Sequence, residues 1–351
     1  MLLEQGGNVN AKNQAGSSLL MIACMLGNEP MGAVLLEFGA NVEEMNSDKQ
    51  NALAMAAAAG HIRCVEMLLK KGGKQGSQAL MWATQNGWDD VVNTLLDHGV
   101  DPDSTNDSGT YVIVWAVCFG KENVFSMLLD HGADINVSCW SGKTTLISAV
   151  EHERPGLVKA LLDRGIDVNR SDWYGNTPLI YAALGRTTAI LEMLLNYGAN
   201  PQIANGDDQT ALIAAARDGQ SKAVRILIDA CSDLSARDAS GSTAVMAAAS
   251  ACDPLSVRLL IENGACLDDR NYLGRTAIMY AVKNTRSSYR RSKVLETLHV
   301  LLEHGSNPLQ ADFEGISTMQ HVSSSYFRSK MKAILTYNTK HHPWECFTLV
   351  S

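Results

Sequence analysis

No stretch of this chain approaches the roughly 18–20 consecutive apolar residues that a membrane-crossing helix requires, so insertion into a membrane is not expected. Positive charge is also short: 29 Lys and Arg stand against 37 Asp and Glu, a formal net charge of −8. Nucleic-acid binders carry a basic footprint, so DNA and RNA are not expected as partners. Aromatic residues make up only 6% of the chain, and the Ala, Leu and Met found instead favour helix over sheet. The opening residues, Met1-Leu2-Leu3-Glu4-Gln5-Gly6-Gly7, have neither the basic start nor the apolar run of a secretory signal. None of the eight cysteines forms a C-x-x-C pair or has histidines at zinc-ligand spacing. They read as reduced thiols, several packed as small hydrophobes. The expected compartment is the cytoplasm, with the nucleus as the alternative, and neither a metal nor a cofactor is expected.

What the chain does have is a glycine clock. Gly6, Gly39 and Gly72 are 33 residues apart, as are Gly99, Gly132, Gly165 and Gly198, and the step continues to Cys231 and Gly264. A gap of 41 reaches Gly305, and a last step of 33 lands on Asn338. An apolar pair precedes each of these eleven positions at one offset, from Leu2-Leu3 to Ile334-Leu335. Self-similarity at this period means a stacked array.

Each unit can be read physically. Val124, Phe125, Leu128 and Leu129 fall at i, i+1, i+4 and i+5, one face of a helix. Gly132 follows where a left-handed cap is needed, which glycine adopts without strain. Asn338 is the next best residue for that place, and Cys231 is a departure that should cost stability. A second glycine (Gly16, Gly109, Gly142, Gly175, Gly241, Gly274, Gly315) then marks a turn. A first helix opens after it: Thr177 is a natural N-cap and Pro178 fits the first helical position, with Thr210, Thr243 and Thr276 in the same register. The small residues behind them, Ala214-Ala215-Ala216 and Ala247-Ala248-Ala249, let neighbouring helices approach closely.

At Thr177-Pro178-Leu179-Ile180-Tyr181-Ala182, and at Gly-Ala-Asp-Ile-Asn over 132–136, the sequence resembles the ankyrin-repeat family, with its T-P-L-H-x-A signature. The resemblance covers residues 1–338, half a repeat followed by ten units, with 339–351 expected as a tail that packs on or trails from the last repeat. It implies an all-α solenoid of stacked helix-turn-helix units with β-turn or hairpin fingers. No unit keeps the signature histidine; Met21, Val114, Ile180 and Met279 stand in its place.

Four irregularities interrupt the pattern. Gly72 to Gly99 is only 27 residues, and the missing six fall between Gly72 and Gly76, read as the turn glycine. The third repeat is therefore expected to keep both helices and lose its finger. The ninth unit is eight residues too long, with a basic insertion at about 285–293, Thr285-Arg286-Ser287-Ser288-Tyr289-Arg290-Arg291-Ser292-Lys293. It reads as a solvated loop, with an acidic-partner contact or a kinase site at Ser292 as the sharper readings. The chain opens in a second helix, a poor cap for the helix carrying Leu20 and Ile22. A fragment, a shortened product, or an end covered by another domain or chain each fit that opening. Gln320, His321 and Ser323–Ser325 give the tenth unit a polar, cap-like first helix.

Catalytic patterns fail on inspection. Trp140-Ser141-Gly142-Lys143-Thr144-Thr145 has the tail of a phosphate loop, but Val137 stands where its leading glycine belongs and no strand precedes it. His152, between Glu151 and Glu153, has no nucleophile placed beside it. His98, His131 and His304 precede cap glycines, where a cationic side chain suits a helix C-terminus. No enzyme is expected. Asn10, Asn136 and Asn169 each follow a leucine by eight residues and resemble sites that asparaginyl hydroxylases accept; the simpler reading is that they stabilise their turns.

Binding is expected instead. In ankyrin arrays, partners meet the turn tips and the exposed ends of the first helices. By register the tips include Trp140, Trp173, Tyr174, Tyr272, Leu273 and Phe313, and the helix ends include Met25, Leu26, Phe119, His152 and Arg217. Aromatic tips have nothing local to pack against, and burying one is worth about 1.5–3 kcal/mol. Phe119, Trp140, Lys143, His152, Trp173 and Tyr174, across units four to six, form the expected contact patch, Tyr272, Leu273, Arg275 and Phe313 a second, and Arg217 is a further expected contact. The expected function is a non-catalytic scaffold or adaptor for a protein partner. The alternatives are a targeting or regulatory array within a larger protein, or an architectural spacer.

Overall fold

The computed structural model describes residues 7–73, 76–283, 291–321 and 329. Much of the basic insertion and the whole tail 339–351 lie outside the described residues, as do Ser323–Ser325 and Asn338. Among those described, the chain is all-α: nineteen helices joined by turns. It divides into two compact units, Met1–Ile166 and Asp167–Ser351.

In the first unit α1 (Leu19–Met25), α3 (Ala52–Ala59), α5 (Gly76–Asn86), α7 (Val112–Cys118) and α9 (Thr145–Glu151) lie side by side in chain order. Each is followed within a few residues by a second helix: α2 (Glu29–Glu37), α4 (Ile62–Lys70), α6 (Asp89–Asp97), α8 (Glu122–Asp130) and α10 (Pro155–Asp163). The second unit repeats the scheme. Its first helices are α11 (Pro178–Leu184), α13 (Ala211–Asp218), α15 (Ala244–Ala251), α17 (Ala277–Lys283) and α19 (Thr318–His321). Its second helices are α12 (Ala189–Asn196), α14 (Ser221–Asp229), α16 (Pro254–Glu262) and α18 (Arg291–Glu303).

Local chemistry sets the helix ends. The side chains of Ser18, Asn51, Thr144, Thr177 and Thr210 each accept the amide three residues ahead, 2.8–3.4 Å away. Pro178 occupies the first position of α11. Thr243 holds the same place before α15, yet its hydroxyl is unbonded. After the second helices, Gly39, Gly132, Gly198 and their equivalents have φ of +75° to +95°. A Cβ added at these three would meet nothing within 4 Å, so backbone conformation alone asks for glycine there. Cys231 adopts the same left-handed conformation at φ 58°. His98, His131 and His304 set Nδ1 against the carbonyl four residues back, at 2.7–2.9 Å.

The cores combine runs of small residues on several first helices with large apolar residues on both helices of each repeat. Ala54, Ala56 and Ala57 of α3 and Ala215 and Ala216 of α13 are fully buried. On α8, Val124, Phe125 and Leu128 are buried, while Leu129 of the same apolar face is only half-buried.

Without the signature histidine, other side chains join the repeats. In three repeats the residue after the first helix's closing turn reaches back over the preceding repeat: His61 Nε2 lies 3.1 Å from Met25 O, Trp88 Nε1 donates to Ala58 O at 3.0 Å, and Arg154 Nη2 donates to Cys118 O at 3.3 Å. The Trp88 ring lies so close over Gly60 that a Cβ there would sit 2.7 Å from it. On the opposite side, Asn10 accepts the Asn41 amide at 2.9 Å and Asn169 accepts the Asn200 amide at 2.8 Å. These two asparagines therefore tie one repeat to the next.

Two expectations are corrected. Gly76 is not a turn glycine: it is the first residue of α5, where a Cβ would collide with Val100, and α5 runs 11 residues against seven or eight for the other complete first helices. Only residues 71–75 separate α4 from α5, whereas 38–51 separate α2 from α3. Arg291, Ser292 and Lys293 are helical, in the first turn of α18, and not part of a loop.

A left-handed non-glycine residue costs about 1–2 kcal/mol, and glycine's extra unfolded-chain entropy returns about 0.5–1 kcal/mol of that. Cys231→Gly is accordingly expected to stabilise the protein by about 0.5–1 kcal/mol, and Gly198→Ala to destabilise it by about the same. Urea unfolding followed by far-UV circular dichroism checks both signs.

Candidate protein-binding surface

The turns between repeats are fingers organised by one side chain each. An Asp or Asn three residues before the turn residue offers Oδ1 to two amides, two and four positions ahead. Asp172 accepts Tyr174 N and Asn176 N at 2.9 Å; Asn271 accepts Leu273 N at 3.0 Å and Arg275 N at 2.9 Å. Asn13, Asn46, Asn106, Asn205, Asp238 and Asp312 do the same. The sequence reading overlooked this pattern, although an Asp or Asn three residues before a turn glycine was there to be seen. Where glycine is replaced, Lys49 and Asp208 hold the turn at φ 59° and 56°. The fifth finger departs from the scheme: Cys139 stands at the base, with its Sγ 3.3 Å from Ser141 Oγ.

The expected contact residues divide between the two units. In the first, Trp140 at the fifth finger's tip is 68% exposed. Phe119, at the end of α7, is half in solvent and leans on Trp115, with ring centroids 5.3 Å apart. Lys143 Nζ donates to both Glu151 oxygens at 2.7 Å, and His152 is exposed with Nδ1 2.9 Å from Ser148 O. In the second unit, Trp173 and Tyr174 are 73% and 69% exposed at the sixth finger.

The tips of the later fingers are not bare, which corrects the expectation that aromatic tips have nothing local to pack against. The Tyr272 ring lies on Gly241 of the preceding finger, and the Phe313 ring lies on Gly274. The Arg270 guanidinium sits 4.8 Å over the Phe313 ring and donates to Ala311 O. Two expected contact cations brace fingers as well. Arg217 on α13 pairs with Asp238, and Arg275 Nε reaches Asp312 at 3.4 Å, beside His321 Nε2 at 3.0 Å. Burial opposes ionisation of Asp238, but the Ser240 hydroxyl, the Ser242 and Ser240 amides and Arg217 outweigh it and hold the carboxyl below its ordinary value.

In the first unit a cleft of about 830 Å³ lies beneath fingers two and four, floored by Met81 and Trp82 of α5. Met45, Asp107 and Trp115 line its sides. None of Met45, Met81, Trp82 and Trp115 was singled out from sequence; the cue was Trp82, close after the six-residue deletion.

The chemistry of the remaining groups is quiet. Burial pushes the Cys24 thiol up to about 12, with Cys64 beside it adding to the effect, and burial pushes Cys118 up to about 11. Such thiols are not nucleophiles at neutral pH. Among the described residues no group of three or more His, Cys, Asp or Glu is placed to hold a metal, and no helix is long and apolar enough to cross a membrane.

Comparison with known proteins places this geometry. A family profile described as ankyrin repeats (3 copies) matches residues 1–79, 80–172, 171–238 and 230–312. The crystal structure of the human ASB11 ankyrin repeat domain superposes with a TM-score of 0.54 at 27% identity, over 61% of this chain and 98% of that one. Among curated relatives, the E3 ubiquitin-protein ligase KEG of Arabidopsis thaliana is 33% identical over 110 residues, 29% of this chain and 7% of that protein. The DNA replication inhibitor plutonium of Drosophila melanogaster is 42% identical over 64 residues, 18% of this chain and 37% of that protein. The chain thus spans well under two thirds of the length of these curated relatives.

Asp238→Ala removes the base of the eighth finger and its tie to Arg217. Charge-assisted hydrogen bonds of this kind are worth about 1.5–3 kcal/mol, so a loss of about 2–3 kcal/mol is expected in urea unfolding at neutral pH. A lowered folded-state value means the contribution is complete above the ordinary carboxyl value of about 3.9 and fades as pH falls through the folded one. The gap between wild type and variant should therefore hold from pH 7 to about pH 5 and narrow below about pH 3.9.

Proposed function

The chain belongs to the ankyrin-repeat family, and we propose that it is a non-catalytic scaffold or adaptor that binds a protein partner through finger tips and the exposed ends of first helices. Ankyrin repeats mediate protein–protein interaction, and the fold is an interaction module. The observation that carries the assignment of the surface is the exposure of Trp140 and Trp173, 68% and 73%, with the finger of Trp173 braced at its base by Asp172. Large aromatic side chains anchored on a stiff frame lose little freedom on binding and dominate interface hot spots. Phe119, Lys143, His152 and Tyr174 share this surface in their own units. Arg217, Tyr272, Arg275 and Phe313 contribute while also bracing fingers. The net charge of −8 argues for a protein partner over a nucleic acid.

A second reading, a targeting or regulatory array within a longer polypeptide, draws support from the relatives. The alignment with the Arabidopsis ligase spans only 7% of that protein, so there the matching repeats form a small part of a longer chain. In either setting the array recognises and does not catalyse.

Combined Trp140→Ala and Trp173→Ala tests the surface. A hot-spot aromatic contributes about 2 kcal/mol or more, so capture of the partner in affinity purification from the native source should fall at least about 30-fold with circular dichroism unchanged. Undiminished capture would remove these tips from the interface.

A further inference from the structure

Neighbouring fingers are joined tip to tip by one backbone hydrogen bond in a fixed register. The amide two residues before the turn residue donates to the carbonyl one residue before the preceding finger's turn residue. Ser47 N reaches Ala15 O at 3.1 Å, Gly206 N reaches Tyr174 O at 2.8 Å, and Ala239 N reaches Asp207 O at 2.9 Å. Tyr272 N reaches Ser240 O and Phe313 N reaches Leu273 O, each at 3.1 Å. Fingers four and five make no such bond; the fifth is the one built on Cys139.

Applied to the first unit, the register identifies two open ends. Asp48 O is the acceptor that a third finger would use, and Asp107 N is the donor that it would receive. With only residues 71–75 between α4 and α5, there is no room for that finger. Among the described residues neither Asp48 O nor Asp107 N has a protein partner. Helices packed side by side are about 8–10 Å apart, so fingers flanking α5 stand about twice that distance from each other, leaving the width of one finger. The cleft of about 830 Å³ occupies this place. In its walls, Gln78 Oε1 and Trp115 Nε1 are shut off from water and have no hydrogen-bond partner.

We propose that this cleft is a socket for a tight turn presented by another protein, which stands in for the finger that the third repeat lacks. The incoming turn donates one amide to Asp48 O and accepts from Asp107 N. It sets an apolar side chain against Met45, Met81 and Trp82. Among the described residues, the Asp48 and Asp107 carboxylates outnumber the Lys49 cation around the open backbone groups, so a basic residue beside the turn fits best. This rests on the scaffold reading above and gives it a place and a partner chemistry.

The probe is a cyclic peptide carrying the ninth finger, Arg270-Asn271-Tyr272-Leu273-Gly274-Arg275, whose Tyr272 amide and Leu273 carbonyl already serve both sides of the ladder. Titrated into the full chain, it should shift the Asp107 amide and the Trp115 indole resonances saturably, and a linear scrambled peptide should bind at least tenfold more weakly. Inserting six residues between Gly73 and Gly76 to restore the finger should abolish the shifts. Met45→Glu, a change at an exposed side chain, should weaken binding at least tenfold even if the insertion misfolds. Absence of saturable shifts, or binding indifferent to both changes, overturns the socket. A dimer seen in sedimentation and lost on restoring the finger would make a second copy the occupant and overturn the assignment to another protein. The Trp140→Ala, Trp173→Ala variant should bind the peptide normally. Peptide failure alongside lost capture in that variant refutes the socket alone, whereas peptide binding alongside intact capture refutes the tip surface alone.

Discussion

A helix of seven to nine residues does not hold its shape alone in water. Nearly every helix here is that short, so each depends on the neighbours that cover its faces. Ala54, Ala56 and Ala57 show how tight the dependence is: fully buried on α3, they leave room for α1 on one side and α5 on the other. Substituting a larger side chain at such a position would separate two neighbours at once, and the cost would be felt in both directions along the stack. Stability is thus assembled from interfaces between repeats more than from within any repeat, and the polar ties matter because they fix how those interfaces register.

Those ties fall into three rows, each satisfying a different backbone problem. Below the first helices, His61, Trp88 and Arg154 meet carbonyls that the ends of α1, α3 and α7 leave without helical donors. At the repeat ends, Asn10 and Asn169 accept amides from the next repeat. At the tips, Asp and Asn side chains close the fingers internally, the fifth excepted, and leave one amide and one carbonyl free to join the fingers on either side. A finger is therefore rigid before any partner arrives. That rigidity is what allows an exposed Trp173 to act as a preformed anchor in place of a flexible side chain that must be ordered on contact.

The array was legible from the sequence because its signals are local and repeated: glycine at the left-handed cap, threonine at the N-cap, leucine at one offset. Cys231 was read as an exception to the cap, and it does take the strained conformation, φ 58°. What stayed hidden depends on which residues face each other across repeats. Nothing in the spacing says that Tyr272 lies on Gly241, or that Arg217 holds a carboxylate on the following finger. The turn pattern at Asp172 and its equivalents could have been seen, but glycine drew attention away from the residue three positions earlier. Gly76 misled for a related reason: a glycine near the expected place was taken for a turn, when the shortened segment leaves it packed against Val100 as a helix start.

The shortened third repeat shows how a deletion in a one-dimensional fold differs from one in a compact domain. In a single core, losing six residues shifts everything packed around them. Here α5 still lies between α3 and α7, because its contacts are made by Ala79, Leu80 and Ala83 and not by the finger. The deletion is absorbed at the rim, where it exposes the flank of α5 and interrupts a ladder whose two ends remain in register. A repeat protein can thus alter its recognition surface without disturbing its core, since the helices carry the stacking and the fingers carry the edge. The same separation lets Trp82 and Trp115 stay half-buried while lining the cleft.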